Sequence, residues 1–247
     1  PHRGGRRIYR LVFNDDADND FQIIYKQRSL ATEQVFYHYT AFLNRFLDDT
    51  QKIRTLYVLD CGSYGYMEYV QHSYCETPHD IRQFYQKSGV LLSLLYCLGI
   101  TDCHYENLIC DGSSLCLVDC ETILEPINAS LNSFACLDEH DLSSCEPFSV
   151  ISTGLLLCLA VSDSEHQSID LSAIGVTSDF LTNDKINWVY PNTDLMAIST
   201  GPVLPPHKPS LPCHMGLNHN RIEYANLIIT GFRHGYDIIS SHRSDFL

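Results

Sequence analysis

The sequence predicts an α+β chain in two lobes, an N-lobe built on a β-sheet over residues 1–70 and a mainly helical C-lobe over residues 71–247. Two observations carry this expectation. Before residue 70 the apolar residues fall in short β-branched and aromatic runs separated by polar turns, with one helical stretch among them. Beyond it, residues 88–100 (SGVLLSLLYCLGI) are apolar almost all round and long enough for a buried helix.

Each element follows from its own pattern. Residues 8–13 and 21–25 read as strands around an acidic turn, NDDADND. That turn has a calcium loop's composition but lacks the Gly and terminal Glu at the required offsets, so it reads as a solvated hairpin. Lys26 closes the second strand. Residues 32–47 carry the period of an amphipathic helix, with Val35, Phe36, Tyr39, Phe42, Leu43 and Phe46 on one face. Glu33 lies in its first turn, where a carboxylate either serves the helix dipole or pairs with Lys26. Residues 56–59 and 66–70 read as further strands, the second (YGYMEYV) at the join between lobes. The helix over 88–100 should stop at Gly99, since glycine accepts the left-handed conformation common at helix C-termini. Past Pro126 the pattern is weaker. Residues 150–161 read as a buried strand or helix, and residues 199–212, with five prolines, as an extended surface loop. Residues 226–240 read as helical through a bend at Gly-Phe-Arg-His-Gly-Tyr.

Composition excludes several classes of function. With 247 residues and 45% apolar content the chain can bury a substantial core. No apolar run reaches the roughly 18 residues of a membrane span, and the basic first residues lack a signal peptide's apolar core. A net charge of −14 argues against a general nucleic-acid binder. Arg3, Arg6, Arg7 and Arg10 read as a solvated strand end rather than a phosphate clamp. The eleven cysteines contain no Cys-x-x-Cys pair, so a structural zinc site has little support. Cys97, Cys110, Cys116 and Cys158 sit in apolar runs, where a free thiol packs as a small hydrophobe. That usage predicts a reducing, cytoplasmic location. Cys213-His214 lies in a Pro-rich stretch and reads as loop rather than metal site or nucleophile.

The chemistry concentrates at Thr101-Asp102-Cys103-His104-Tyr105-Glu106-Asn107 and Leu117-Val118-Asp119-Cys120-Glu121. Asp102 and Asn107 stand five residues apart, and Asp119 follows the Asn by twelve. Protein kinases use this arithmetic: a catalytic-loop Asp, an Asn, and a metal-binding Asp beyond a short hairpin. A phosphoryl acceptor hydroxyl needs a carboxylate to orient it and take its proton. Mg²⁺ on a nucleotide needs hard oxygens from two separate points of the backbone. Between Asn107 and Asp119 the chain reads strand, Asp-Gly-Ser-Ser turn, strand, which brings both residues to one end. An Asp-x-x-x-x-Asn arises by chance in many chains. The buried helix before it and the hairpin after it give this one its weight, and make Lys26 a candidate for holding nucleotide phosphates.

Further motifs narrow the comparison. Tyr25-Lys26-Gln27-Arg28-Ser29, Tyr64-Gly65-Tyr66-Met67-Glu68, TDCHYEN and LVDCETILEP appear in order. Asp170-Leu171-Ser172-Ala173-Ile174-Gly175, Asn192-Thr193-Asp194-Leu195-Met196 and Gly231-Phe232-Arg233-His234-Gly235-Tyr236 follow. Together they resemble the N-terminal dehydratase domain of class II lanthipeptide synthetases (the LanM type) over nearly the whole chain. The resemblance implies a partial lipid-kinase-like fold, with ATP and Mg²⁺ as cofactors and a ribosomal precursor peptide (leader and Ser/Thr-rich core) as partner. It implies phosphorylation of Ser and Thr followed by elimination of the phosphate. Carried over by motif, Lys26 would hold the phosphates and Asp102 would be the acid/base. His104 and Asn107 would be its loop partners. Asp119, with Asn107 and Glu121, would bind the metal. Thr193 would serve elimination. Pro1-His2 resembles the end of an Asp-Pro-His motif, which makes His2 a candidate and implies a stretch cut from a larger protein.

The chain departs from the family pattern in places. Ile186, Asn187 and Trp188 stand where an Arg is expected before Thr193, Gln27 where Pro is usual, and Gln86-Lys87 where an Arg is common. The resemblance places a cyclase domain in the full-length protein, so ring closure is not expected of this stretch. Two other readings stay open: a kinase-like phosphotransferase without lyase activity, and a non-catalytic fragment that binds precursor peptide.

Overall fold

A computed structural model describes residues 7–14, 20–123, 149–156, 159–162, 167–175, 185–190, 193–201, 208–214, 217–218 and 221–246. Its first sheet is antiparallel, with strands in the order β1 (Ile8–Asn14), β2 (Asp20–Lys26), β4 (Gly65–Glu68), β3 (Val58–Asp60). The register runs from Ile8 opposite Lys26 to Asn14 opposite Asp20, so the expected hairpin forms; residues 15–19 lie outside the described residues. Strand alternation sends Lys26, Gly65 and Met67 inward and leaves Tyr9 and Leu59 on the exposed face.

Helix α1 (Ala31–Asn44) follows β2. Phe36, Tyr37 and Leu43 are buried, as is Glu33. Val35 and Phe46 are exposed instead of joining that face, a correction to the sequence reading. Phe46 lies beyond the helix's last turn, and Val35 lies one step round the helix from the buried stripe of Glu33, Phe36, Tyr37 and Thr40.

Helix α2 (Pro78–Cys97) is longer than the apolar run suggested. Its start is a capping box: the Thr77 hydroxyl accepts from the Asp80 N–H, and the Asp80 carboxylate accepts from the Thr77 N–H, with Pro78 in the first turn. The helix ends where expected, at Leu98, and Gly99 follows with φ +59°. Helix α3 (Ala225–Ser241) runs unbroken through the segment read as a bend. Its glycines are there for contact. A Cβ on Gly231 would lie 2.0 Å from the Gln86 carbonyl oxygen, and one on Gly89 of α2 would lie 2.1 Å from that of Ile228. The two helices therefore meet backbone to backbone. A short helix, α4 (Arg243–Phe246), closes the described chain.

The hairpin of β5 (Leu108–Asp111) and β6 (Ser114–Leu117) turns through Gly112 at φ +55°. Phe36 and Leu43 of α1, Phe84, Leu91 and Leu95 of α2, Leu108 and Leu117 of the hairpin, and Ile228 of α3 share one core. The later segments form two-stranded pairs: β7 (Leu159–Ser162) with β8 (Gln167–Asp170), β9 (Lys185–Val189) with β10 (Ala197–Gly201), and β11 (Cys213–His214) with β12 (Leu217–Asn218). Three expectations change here. Residues 150–161 divide into a 3₁₀ turn at Ile151–Thr153 and strand β7. Cys213-His214 is a strand rather than a loop. The Pro-rich stretch opens inside β10, and its far end passes inward, with Ser210 and Leu211 buried. Cys110 and Cys116 are buried as expected and Cys97 is partly so; Cys158 lies outside the described residues. Among the described residues no helix is long and apolar enough to cross a membrane.

Candidate active site

Two clusters flank the β5–β6 hairpin. The first is an ion network gathered from three elements. Lys26, the last residue of β2, donates to Glu33 Oε1 at 3.3 Å, to the Val118 carbonyl at 2.7 Å and to Asp119 Oδ1 at 3.0 Å. Its side chain is only 5% exposed and that of Glu33 is fully buried. The pairing of Lys26 with Glu33, one of two roles open to that carboxylate, is thus realised. Arg28 lies across the same carboxylates: its guanidinium bonds both Glu33 and Asp119, and its Nε reaches Glu121 Oε1 at 3.0 Å.

Two cations therefore face three carboxylates. Burial pushes the Asp119 carboxyl up, but Lys26 and Arg28 outweigh it and hold its pKa below the usual value. Burial likewise works to lower the Arg28 pKa, and Glu33 and Asp119 outweigh it in the other direction. Sequence reasoning quoted Arg28 within a motif without giving it a role. Arg28 stands in the bend just past β2, where strand alternation no longer sets the face, so the sequence carries no local signal for it.

The second cluster is the loop after α2. Asp102 has φ +64°, a left-handed conformation that few side chains adopt and that Asp tolerates better than most. Its side chain is 43% exposed. His104 Nδ1 accepts from the Glu106 N–H at 3.2 Å, and its Nε2 lies 3.2 Å from Asp102 Oδ1. Asn107 Nδ2 donates to the Asp102 carbonyl at 2.8 Å and lies 3.4 Å from its Oδ2.

The hairpin joins the two clusters. Leu108 pairs with Leu117, and the Val118 N–H donates to the Asn107 carbonyl at 2.8 Å, so Asn107 and Asp119 return to the same end as expected. Thr122 adds a second tie. Its hydroxyl donates to the Thr101 carbonyl at 2.7 Å and accepts from the Thr101 N–H at 3.2 Å. Thr122 is a further residue missed in the sequence, where nothing distinguishes it from a surface threonine.

Of the remaining candidates, Thr193 makes no hydrogen bond to this site among the described residues. Thr193 is exposed, and its hydrogen bonds among the described residues stay within its own turn, to the Tyr190 carbonyl and from the Leu195 N–H. His2 lies outside the described residues.

Over residues 1–247 the chain matches the family described as Domain of unknown function (DUF4135), and it belongs to that family. It is similar to the lacticin 481/lactococcin biosynthesis protein LcnDR2 of Lactococcus lactis subsp. lactis, 28% identical over 240 residues. The match covers 93% of this chain and 26% of the relative, so the chain spans about a quarter of that protein's length. The likeness to class II lanthipeptide synthetases read from the motifs is borne out by these matches.

Proposed function

We propose that this chain acts in lanthipeptide biosynthesis as a kinase-like dehydratase that phosphorylates Ser and Thr of a precursor peptide with ATP and then eliminates the phosphate. The observation that supports this most is the junction of Lys26, Glu33 and Asp119 with the Asp102 loop at one end of a hairpin. A strand Lys paired to a helix Glu and set beside a metal-binding Asp is the arrangement by which kinases fix nucleotide phosphates. The proposal includes the two-lobed kinase-like fold, with lobes meeting near residue 70.

In this reading Lys26 offers its ammonium to the phosphates, and Glu33 fixes where that ammonium stands. Asp102 receives the peptide hydroxyl. His104 stands beside Asp102 Oδ1, and Oδ2, which accepts one long bond from Asn107, keeps a lone pair for the hydroxyl proton; the exposure of the loop lets a peptide reach it. Asn107 uses its amide N–H on Asp102, so its Oδ1 is the atom offered to a cation. Asn107, Asp119 and Glu121 would hold Mg²⁺. Hard oxygens suit that ion, which keeps waters and phosphates as ligands and asks for only one or two carboxylates. The bound Mg²⁺–nucleotide supplies the phosphoryl group.

Elimination is assigned to Thr193, with His2 a further candidate. Ile186, Asn187 and Trp188 in place of the expected Arg favour a second reading, a phosphotransferase that stops at the phosphorylated peptide. Mass spectrometry of a Ser/Thr-rich precursor, incubated with the natural full-length protein, ATP and Mg²⁺, tests both. Loss of one water per modified site supports the dehydratase, and accumulation of phosphopeptide supports the second reading. An unchanged peptide would overturn both and leave a peptide-binding role.

A further inference from the structure

The segment Asp170–Gly175 is tied to the Asp102 loop by backbone hydrogen bonds. The Tyr105 N–H donates to the Leu171 carbonyl at 3.1 Å, and His104 and Ser172 form an antiparallel bridge. The same segment is tied to the turn at Ile151–Thr153, which itself holds the loop: Ile174 N–H donates to the Leu155 carbonyl at 3.0 Å, and Cys103 N–H to the Thr153 carbonyl at 2.8 Å. None of these bonds fixes the segment unless its own shape is fixed.

That shape rests on a buried polar network. Asp170 Oδ1 accepts from the Ser172 N–H at 2.9 Å and from its hydroxyl at 2.5 Å, folding the chain back on itself. Asp170 Oδ2 faces Lys208 Nζ at 3.5 Å, with both side chains only 7% exposed. Lys208 also donates to the Ser172 carbonyl at 3.0 Å, and Ser210 donates to the Ala173 carbonyl at 2.6 Å. Gly175 completes the enclosure, since a Cβ there would lie 1.9 Å from Asp170 Oδ2. The Lys208 segment is anchored in turn, because the Cys110 N–H of β5 donates to the Pro209 carbonyl at 2.7 Å. The network thus connects the hairpin that carries Asn107 to the segment that braces Tyr105 and His104.

We propose that Asp170 and Lys208 are positioning residues for the Asp102–His104–Asn107 loop. The proposal rests on the phosphotransfer reading above. A buried ammonium and carboxylate specify one conformation of the 170–175 segment, and that segment sets where His104 holds Asp102. Among the described residues, the hydrogen bonds and ion pair of Asp170 and Lys208 run to the 170–175 segment and to each other, so their effect should fall on transfer and not on nucleotide binding.

The test uses Lys208→Met, Asp170→Asn and the conservative Lys208→Arg in the natural full-length protein. Hydrogen exchange is followed over residues 101–107 beside steady-state transfer and binding of a fluorescent ATP analogue. Lys208→Met and Asp170→Asn should speed exchange at Tyr105 and lower kcat by roughly 10- to 100-fold, the range expected from misplacing a reacting group by about 1 Å. The analogue's Kd should move by less than about threefold, and Lys208→Arg should restore most of kcat, because it keeps the charge that faces Asp170. Unchanged exchange over residues 101–107 in a folded Lys208→Met protein overturns the proposal. So does a loss of Kd and kcat in equal measure. If the wild type transfers no phosphate, the phosphotransfer reading fails, and hydrogen exchange alone then decides whether the network braces the loop.

Discussion

The two clusters that meet at the hairpin are built on opposite plans. Around Lys26 two cations and three carboxylates, buried or half-buried, come together from β2 and the bend after it, α1 and the segment after β6. Around Asp102 the groups lie within six residues of one another, Asp102 itself is exposed, and backbone bonds tie the loop to its neighbours. A buried charge is tolerated only while its partners stay in place, so under the proposed function the first cluster would tie nucleotide binding to folding, and the exposed Asp102 would be left to the transfer step. Binding and transfer should therefore separate when each is disturbed.

The largest expected effect is Asp102→Asn. Under the proposed function Asp102 is the general base, and its loss should cost roughly 10²–10⁴ in kcat, with melting temperature and nucleotide affinity close to those of the wild type. A fall in melting temperature comparable to that of a buried substitution would erase the distinction between the clusters. Glu33→Ala should do the reverse. It strands Lys26 and Arg28 beside an incomplete set of carboxylates, and removal of one partner of a buried pair costs about 3–5 kcal/mol. Urea denaturation measures it. Gly89→Ala comes next. Its methyl meets the Ile228 carbonyl across α2 and α3, and such overpacking costs about 1–3 kcal/mol. Because it disturbs the packing of α2 on α3 and neither cluster selectively, kcat and nucleotide Kd should change together.

Acid gives the mildest test. The Asp119 carboxyl is held below the ordinary value of about 3.9. Its stabilising contribution is thus complete above that pH and is lost as pH falls through the lower folded value. In Asp119→Asn the fall of melting temperature below about pH 4 should be shallower than in the wild type. An identical slope in both proteins would contradict the pairing with Lys26 and Arg28.

What the sequence made legible follows the same division. The Asp102 loop could be read because its members lie within six residues and the hairpin after it has strong strand and turn signals. Lys26 and Asp119 were found only through the spacing of known motifs, since their contact joins residues far apart in the chain. Arg28 was passed over for the same reason: its partners Asp119 and Glu121 come from the other side of the fold. The start of α2 was visible in Thr77-Pro78-His79-Asp80, a cap written in local residues, yet the eye follows the apolar run further on. The inward turn of Ser210 and Leu211 had no local signal, because prolines mark extended backbone without saying which side of it is covered. Helix period likewise placed Val35 and Phe46 with the core, although only the packed helix decides how wide the buried stripe is.

The most direct test of the division of labour measures nucleotide affinity and phosphoryl transfer on the same preparations of Lys26→Met, Asp102→Asn and wild-type protein. Lys26→Met should lose nucleotide binding, while Asp102→Asn should bind nucleotide as the wild type does and fail to phosphorylate peptide. Equal loss of both properties in the two variants, or full transfer by Asp102→Asn, would contradict the assignment of binding to one cluster and chemistry to the other.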